Sequence, residues 1–256
     1  MEFTIKKPAH FVALFFLVLS FLILIVLPVI SFFIPFSSVP DSLGQFPPTF
    51  QLAVEILTLL MQLVLAFFLL LIVPLLWYAL VNKINLKEIL SRLKLTKQGL
   101  DIALLWGFLL VIFIFIILLG IGFILTLVGV NTNDISNITE ISQIFSPISL
   151  FALSIIQPIG EEIFFRGFLL EKIHTLAGKT SAIGITAVLF GLAHLSYGNI
   201  YPAIMTGLIG VFLAILVIKT KNLYASIFAH ILYNITSLTL YFISMNFVSQ
   251  TSALIL

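Results

Sequence analysis

The residues best suited to chemistry lie in one short stretch, residues 160–167, which reads Gly-Glu-Glu-Ile-Phe-Phe-Arg-Gly within an otherwise almost wholly apolar run. A charged side chain near a bilayer centre costs about 3 kcal/mol on insertion scales, so such residues usually face a polar interior and mark function. On a helix, Glu162 and Arg166 share a face, whereas Glu161 points about 100° away. We expect Glu162 to pair with Arg166. Glu161 would have no partner on its own helix and could hold a proton or a water. The alternative is an ion-pair cluster that only fixes helix packing.

Three further polar residues lie deep in apolar sequence: His194, His230 and Asn234. His230 and Asn234 are one helical turn apart and could both approach one oxygen atom or one ion. The chain has no cysteine, no His-Glu-x-x-His zinc motif and no Gly-x-Ser-x-Gly elbow. What remains is a water activated by carboxylate and imidazole, with imidazole and amide groups near a developing oxyanion. This pattern predicts hydrolysis of an amide. We expect no cofactor; the alternative, a zinc ion, would bind Glu161, His194 and His230.

Composition shows which elements must position these side chains. Hydrophobic residues make up 61% of the chain, charged residues 9%, and the mean hydropathy is +1.27, which indicates a polytopic membrane protein. A spanning helix needs about 20 apolar residues. The sequence therefore predicts an all-α transmembrane bundle of about seven spanning helices, near residues 11–34, 51–81, 100–128, 148–176, 180–197, 202–218 and 222–246.

The distribution of Lys and Arg predicts the orientation of the chain. Eleven of the twelve basic residues fall on alternate connections, and the twelfth is Arg166. The rule that basic loops stay inside then predicts a cytoplasmic N-terminus and an external C-terminus. We expect an integral protein of the bacterial cell membrane, with the lipid bilayer around it. A net charge of +2 is too small to suggest a nucleic acid partner.

Small and polar residues in the spans predict how the helices pack. Three pairs have the small-xxx-small spacing that allows close backbone approach in a bilayer: Ala187 and Gly191, Gly210 and Ala214, Ala225 and Ala229. Gln62 is expected to bond a neighbouring helix. The predicted edges place His194 nearer the external face and His230 nearer the cytoplasmic face. Convergence then requires a later fifth span, or short and broken helices around a cavity.

Three motifs occur in order on successive apolar segments: Glu161-Glu162-x-x-x-Arg166, Phe190-x-x-x-His194 and His230-x-x-x-Asn234. Together they resemble the CAAX prenyl endopeptidase and bacteriocin-processing family of membrane proteases, also called the CPBP or Abi family. The resemblance divides the chain into N-terminal scaffold helices, 1–130, and a catalytic domain, 148–240.

The resemblance implies an intramembrane glutamate protease, a class once regarded as metalloproteases. Glu161 would be the general base, His194 would hold the water, and His230 with Asn234 would bind the oxyanion. Glu162 and Arg166 would orient the site, and Phe190 would support it. The substrate would be a peptide or membrane protein without a prenyl group. The biological role would be peptide or bacteriocin processing, or self-immunity. Two other readings stay open: a non-catalytic scaffold or regulator using the same pocket, and a proton-coupled transporter, which predicts two related halves.

Overall fold

A computed structural model describes residues 3–34, 46–129, 141–142, 144–195 and 200–255 of the chain. These residues form helices and contain no strand. In chain order the helices are α1 (Pro8–Phe33), α2 (Pro48–Asn82), α3 (Leu86–Arg92), α4 (Leu100–Leu127), α5 (Pro147–Leu192), α6 (Ile200–Thr220) and α7 (Leu223–Ile255). All except α3 are long and apolar enough to cross a membrane, which makes six such helices in the described chain. The chain is therefore an all-α, multi-pass membrane protein, as predicted.

The number of spans differs by one from the prediction because of α5. Two expected spans, 148–176 and 180–197, are joined in this helix, which is broken at Gly178. Gly178 has φ 80° and ψ 175°, a left-handed backbone conformation that favours glycine. The prediction was wrong at the far edge, since the helix ends at Leu192 and not near 197. Its second part, residues 179–192, is about 21 Å long at 1.5 Å per residue.

The short second part of α5 accounts for the position of His194 inside the protein. A helix of about 21 Å is shorter than the hydrocarbon core of about 30 Å. The second part of α5 packs antiparallel against α6, and we call this pair of helices the hairpin. His194 is half-buried two residues after the end of α5. Of the two arrangements that the sequence allowed, the structure has the short and broken helix.

Close backbone contact holds that hairpin together. A Cβ atom on Gly191 would lie 2.6 Å from the carbonyl oxygen of Ala203 and 3.3 Å from Cα of Gly207. A Cβ atom on Gly210 would lie 3.3 Å from Cα of Ala187. The small residues at 187, 191 and 210 thus permit the approach that their spacing predicted.

One end of the bundle is densely packed. We call it the basic end, because the connection 83–99 and the break at Gly178 lie there. The side chains of Tyr78, Leu93, Phe168 and Leu223 are at most 1% exposed. Cross-links between helices reinforce this packing: the Leu223 amide donates to the Lys94 carbonyl oxygen at 2.9 Å, and Arg92 Nη1 lies 3.2 Å from Glu171 Oε1. The opposite end, where α2 and α5 begin, is called the far end.

Candidate active site

A buried ion pair anchors the candidate site. Arg166 Nη1 donates to Glu162 Oε1 at 2.8 Å, and both side chains are 0% exposed. The two residues are one turn apart across a π-helical turn, Ile163–Leu169, a local widening of the helix that often occurs at functional sites. This confirms that Glu162 pairs with Arg166. Removing either partner would leave an unpaired buried charge, which is strongly destabilising. The two side chains therefore depend on each other.

His230 of α7 joins the ion pair from the facing helix. Its Nδ1 atom lies 2.9 Å from Glu162 Oε1, and its Nε2 atom lies 3.8 Å from Glu161 Oε2. An ionised carboxylate only accepts hydrogen bonds, so Nδ1 carries a proton and donates it to Glu162. Nε2 is left directed at Glu161. His230 therefore stands between the two carboxylates, one neighbour on each ring nitrogen.

Phe190 supports the ring of His230 and the guanidinium of Arg166. The Arg166 Cζ atom lies 3.9 Å from the Phe190 ring centroid, a cation–π contact. The Phe190 ring also meets the rings of His194 and His230 edge to face, with centroids 4.9 and 5.7 Å apart. Phe190 is 0% exposed. It thus contacts three of the polar side chains at once.

Glu161 is positioned differently from the expectation. We expected no partner on its own helix, but Gln157 Nε2 donates to Glu161 Oε1 at 2.9 Å. Gln62 Nε2, on α2, donates in turn to Gln157 Oε1 at 3.0 Å. The prediction failed because it considered only charged partners, although the spacing of four between Gln157 and Glu161 was visible in the sequence. The prediction that Gln62 bonds a neighbouring helix is confirmed.

His194 is half-buried, and its orientation is fixed by the backbone. Its Nδ1 atom lies 2.7 Å from the carbonyl oxygen of Phe190. A carbonyl oxygen is an acceptor, so Nδ1 carries the proton and the Nε2 atom of the neutral ring is left as an acceptor. An imidazole in this state can accept a hydrogen bond from a water molecule.

A cavity of about 950 Å³ brings the predicted residues together. Its wall includes Glu161, His194, His230 and Asn234, and the amide of Asn234 makes no hydrogen bond to any described residue. The rest of the wall comes mainly from the far-end halves of the helices, including Met61, Leu118, Leu125, Leu150, Met205 and Leu238. Glu162 and Arg166 lie behind the wall. The cavity is thus a mostly apolar space with a polar floor.

The positions of the donor groups also bear on metal binding. No group of three or more His, Asp or Glu side chains within the described ranges is placed to hold one. Glu161 accepts from Gln157, and His194 offers only Nε2 to the cavity. Glu161, His194 and His230 are therefore not arranged as a ligand set, although all three lie near one cavity.

The charges of the cluster balance in one protonation state. Glu161 and Glu162 carry two negative charges when ionised, and Arg166 supplies one positive charge. A proton on His230 Nε2 makes the sum zero, and so does a proton on Glu161. Since a net charge is costly away from water, one proton on either Glu161 or His230 would neutralise the site. A carboxylate and an imidazole that exchange one proton can perform acid–base chemistry.

Comparisons with known proteins agree with the motifs. The model of the family described as "Type II CAAX prenyl endopeptidase Rce1-like" matches residues 143–236. The protein "Putative membrane peptidase YdiL" of Bacillus subtilis (strain 168) is 28% identical over 143 residues. That alignment covers 54% of this chain and 56% of the relative, so the chain spans about half the length of the curated relative that it matches. No solved structure matches the chain. Residues 143–236 are therefore similar to the Rce1-like family of type II CAAX prenyl endopeptidases, in agreement with the resemblance that the three motifs indicated.

Proposed function

We propose that this protein is an intramembrane endopeptidase in which Glu161 activates a water molecule. One observation carries the proposal: Glu161, His194, His230 and Asn234 line the same cavity, with 3.8 Å between Glu161 Oε2 and His230 Nε2. Amide hydrolysis can use a carboxylate and two imidazoles together with an amide donor. Here that amide is Asn234, which has no partner among the described residues. The family match and the relative named as a membrane peptidase support the same reaction class.

The first step is attack of water on the scissile carbonyl carbon. The water lies between Glu161 and His194. It donates a hydrogen bond to His194 Nε2, which orients one lone pair of the water oxygen toward the carbonyl carbon. Glu161 takes the proton as the oxygen–carbon bond forms. The carbonyl oxygen becomes an oxyanion. When the carbon–nitrogen bond breaks, the leaving amine takes the proton from Glu161, so the carboxylate is restored.

The oxyanion is stabilised from α7. The Asn234 amide donates one hydrogen bond, and His230 donates another from Nε2. His230 can do so only when both ring nitrogens carry protons, because Nδ1–H is already committed to Glu162. The Glu162 carboxylate compensates the positive charge of that ring, and Arg166 holds Glu162. This gives the second glutamate a role distinct from that of the first.

The cavity favours a peptide or a segment of a membrane protein as substrate. A volume of about 950 Å³ holds several side chains of an extended peptide, and leucine, isoleucine, phenylalanine and methionine dominate its wall. We infer that the substrate carries no prenyl group and that the reaction serves peptide or bacteriocin processing or self-immunity. Because the cavity lies toward the far end, the predicted orientation brings the substrate from the external side.

Cleavage of a quenched-fluorescent peptide library by purified protein in detergent tests the proposal. Wild type should cleave, and Glu161→Gln should lose cleavage while its unfolding temperature stays close to that of wild type. Cleavage that persists with a strong chelator supports a metal-free mechanism, whereas loss on chelation and recovery with zinc would replace it with a metal-dependent one. If no peptide or membrane-tethered substrate is cleaved, a binding scaffold becomes the better explanation.

A further inference from the structure

We infer that Gln62 and Gln157 are positioning residues for Glu161, and that the N-terminal helices therefore supply part of the catalytic apparatus. The inference rests on the proposed function for its effect on catalysis, but the contacts themselves do not depend on it. Gln62 lies on α2, outside the segment 143–236 that matches the family. The juxtaposition that carries the inference is the chain of hydrogen bonds from Gln62 through Gln157 to Glu161.

The direction of these hydrogen bonds follows from the carboxylate. An ionised carboxylate has no donor, so the side chain of Gln157 must present its NH₂ group to Glu161. Its carbonyl oxygen then faces α2 and needs a donor. Gln62 supplies this donor through Nε2 at 3.0 Å. The amide of Gln157 thus has one orientation that satisfies both of its neighbours, and this orientation is set by the charge on Glu161.

The same chain can serve Glu161 in its protonated state. A protonated carboxyl group can also donate through its hydroxyl, and both amides can then turn over, with Gln157 accepting from Glu161 and donating to Gln62. A general base that gains and then releases a proton needs partners for both states. Two glutamines can provide them because a primary amide has a donor and an acceptor at the same end.

Other contacts hold α2 in register with α5. Glu55 Oε1, two turns before Gln62 on α2, accepts from the Ser146 amide at 2.7 Å and from Ser149 Oγ at 2.6 Å. Farther along, a Cβ atom on Gly160 would lie 3.1 Å from Cβ of Leu70. These contacts lie on either side of the Gln62–Gln157 hydrogen bond. They prevent α2 from sliding along α5, so Gln62 stays opposite Gln157.

The kinetic test is a double-mutant cycle with Gln62→Leu and Gln157→Leu. Each variant should lower kcat roughly tenfold and leave KM within about twofold, because the base is misplaced while the binding cavity is kept. Gln62 touches Gln157 and acts through it. Adding Gln62→Leu to Gln157→Leu should therefore cause no further loss. Gln51→Leu is the matched control, since Gln51 lies on the same helix, is exposed, and donates only to the Phe46 carbonyl oxygen. Losses that multiply, or variants with unchanged kcat, would overturn the inference.

A spectroscopic test separates this inference from the proposed function. The chain has only seven glutamines, so their side-chain amide resonances can be assigned one by one from the glutamine-to-leucine variants. The Gln157 amide resonances should move in Glu161→Gln and in Gln62→Leu and stay in place in Gln51→Leu. If wild type cleaves no substrate, the proposed function fails, while the inferred chain of amides still stands on this measurement. Gln157 resonances that ignore both changes would refute the chain, whatever the activity.

Discussion

The contact between α5 and α6 at Gly191 offers a sharp prediction, because it lies three residues before His194. Alanine at this position would place a Cβ atom 2.6 Å from the Ala203 carbonyl oxygen, where ordinary contact begins at 3.4 Å. The two helices must therefore separate by about 0.8 Å. The obstacle is backbone, which cannot turn aside as the end of a flexible side chain can. Overpacking of this kind costs about 1–3 kcal/mol in folding free energy.

Gly184 provides a control on the same helix. A Cβ atom there would meet nothing within 4 Å, and a glycine-to-alanine change inside a helix stabilises by about 0.5–1 kcal/mol. Gly184→Ala should therefore be neutral or stabilising. Both positions are helical and share the gain from alanine, so Gly191→Ala should be less stable than Gly184→Ala by the overpacking cost of about 1–3 kcal/mol. Unfolding of the two purified variants in the same detergent measures the difference.

The same change should reduce catalysis. A shift of about 0.8 Å at Gly191 moves the end of α5 and with it the imidazole of His194. Misplacement by about 1 Å can lower a rate about a hundredfold. We expect Gly191→Ala to lose between one and two orders of magnitude in kcat under conditions where it is fully folded. Equal stability and equal activity of Gly191→Ala and Gly184→Ala would refute the close packing of α5 on α6.

Three further predictions concern the ion pair, the orientation of the chain and a half-buried lysine. Arg166→Met or Glu162→Leu alone should cost about 3–5 kcal/mol, whereas the double variant should recover part of that loss; unfolding that is no better in the double variant would contradict an uncompensated buried charge as the cause. Because the chain lacks cysteine, Thr49→Cys at the far end and Lys87→Cys at the basic end can be labelled alone: an impermeant maleimide should reach the first in intact cells and the second only after permeabilisation, and the reverse pattern would invert the predicted orientation. Burial lowers the pKa of Lys94, so the unfolded chain binds the proton more tightly and stability should rise as the pH passes from the folded toward the unfolded pKa of this lysine. Lys94→Met should flatten this rise when the free energy of unfolding is measured against pH. If the slope stays unchanged, the rise comes from another titratable group.

The predicted spans show how far hydropathy leads. It located the apolar segments because a bilayer leaves no choice about satisfying the backbone, which forces each long apolar run into a helix. It also placed the edges of α4 and α6 within about two residues. Hydropathy did not indicate where the fifth span would stop. The helix ends at Leu192, and an apolar run does not by itself specify at which residue a helix stops.

The polar residues show the same division. Sequence alone selected Glu161, Glu162, Arg166, His194, His230 and Asn234, because charged and polar side chains are costly in an apolar run and their spacing is that of helix faces. The pairing of Glu162 with Arg166 is local, at one turn, and was predictable for that reason. Their roles in catalysis stay predictions, as does the division into 1–130 and 148–240.

What only the tertiary structure decided is the set of contacts between distant helices. The attachment of His230 to Glu162 joins residues 68 positions apart, and the bond from Gln62 to Gln157 joins residues 95 apart. A helix pattern specifies which face a side chain occupies but not which other helix meets that face, because this depends on packing along the whole bundle. The sequence therefore determined the chemistry available to the protein, and the packing of α2, α5 and α7 determined which carboxylate is held by a cation and which by an amide.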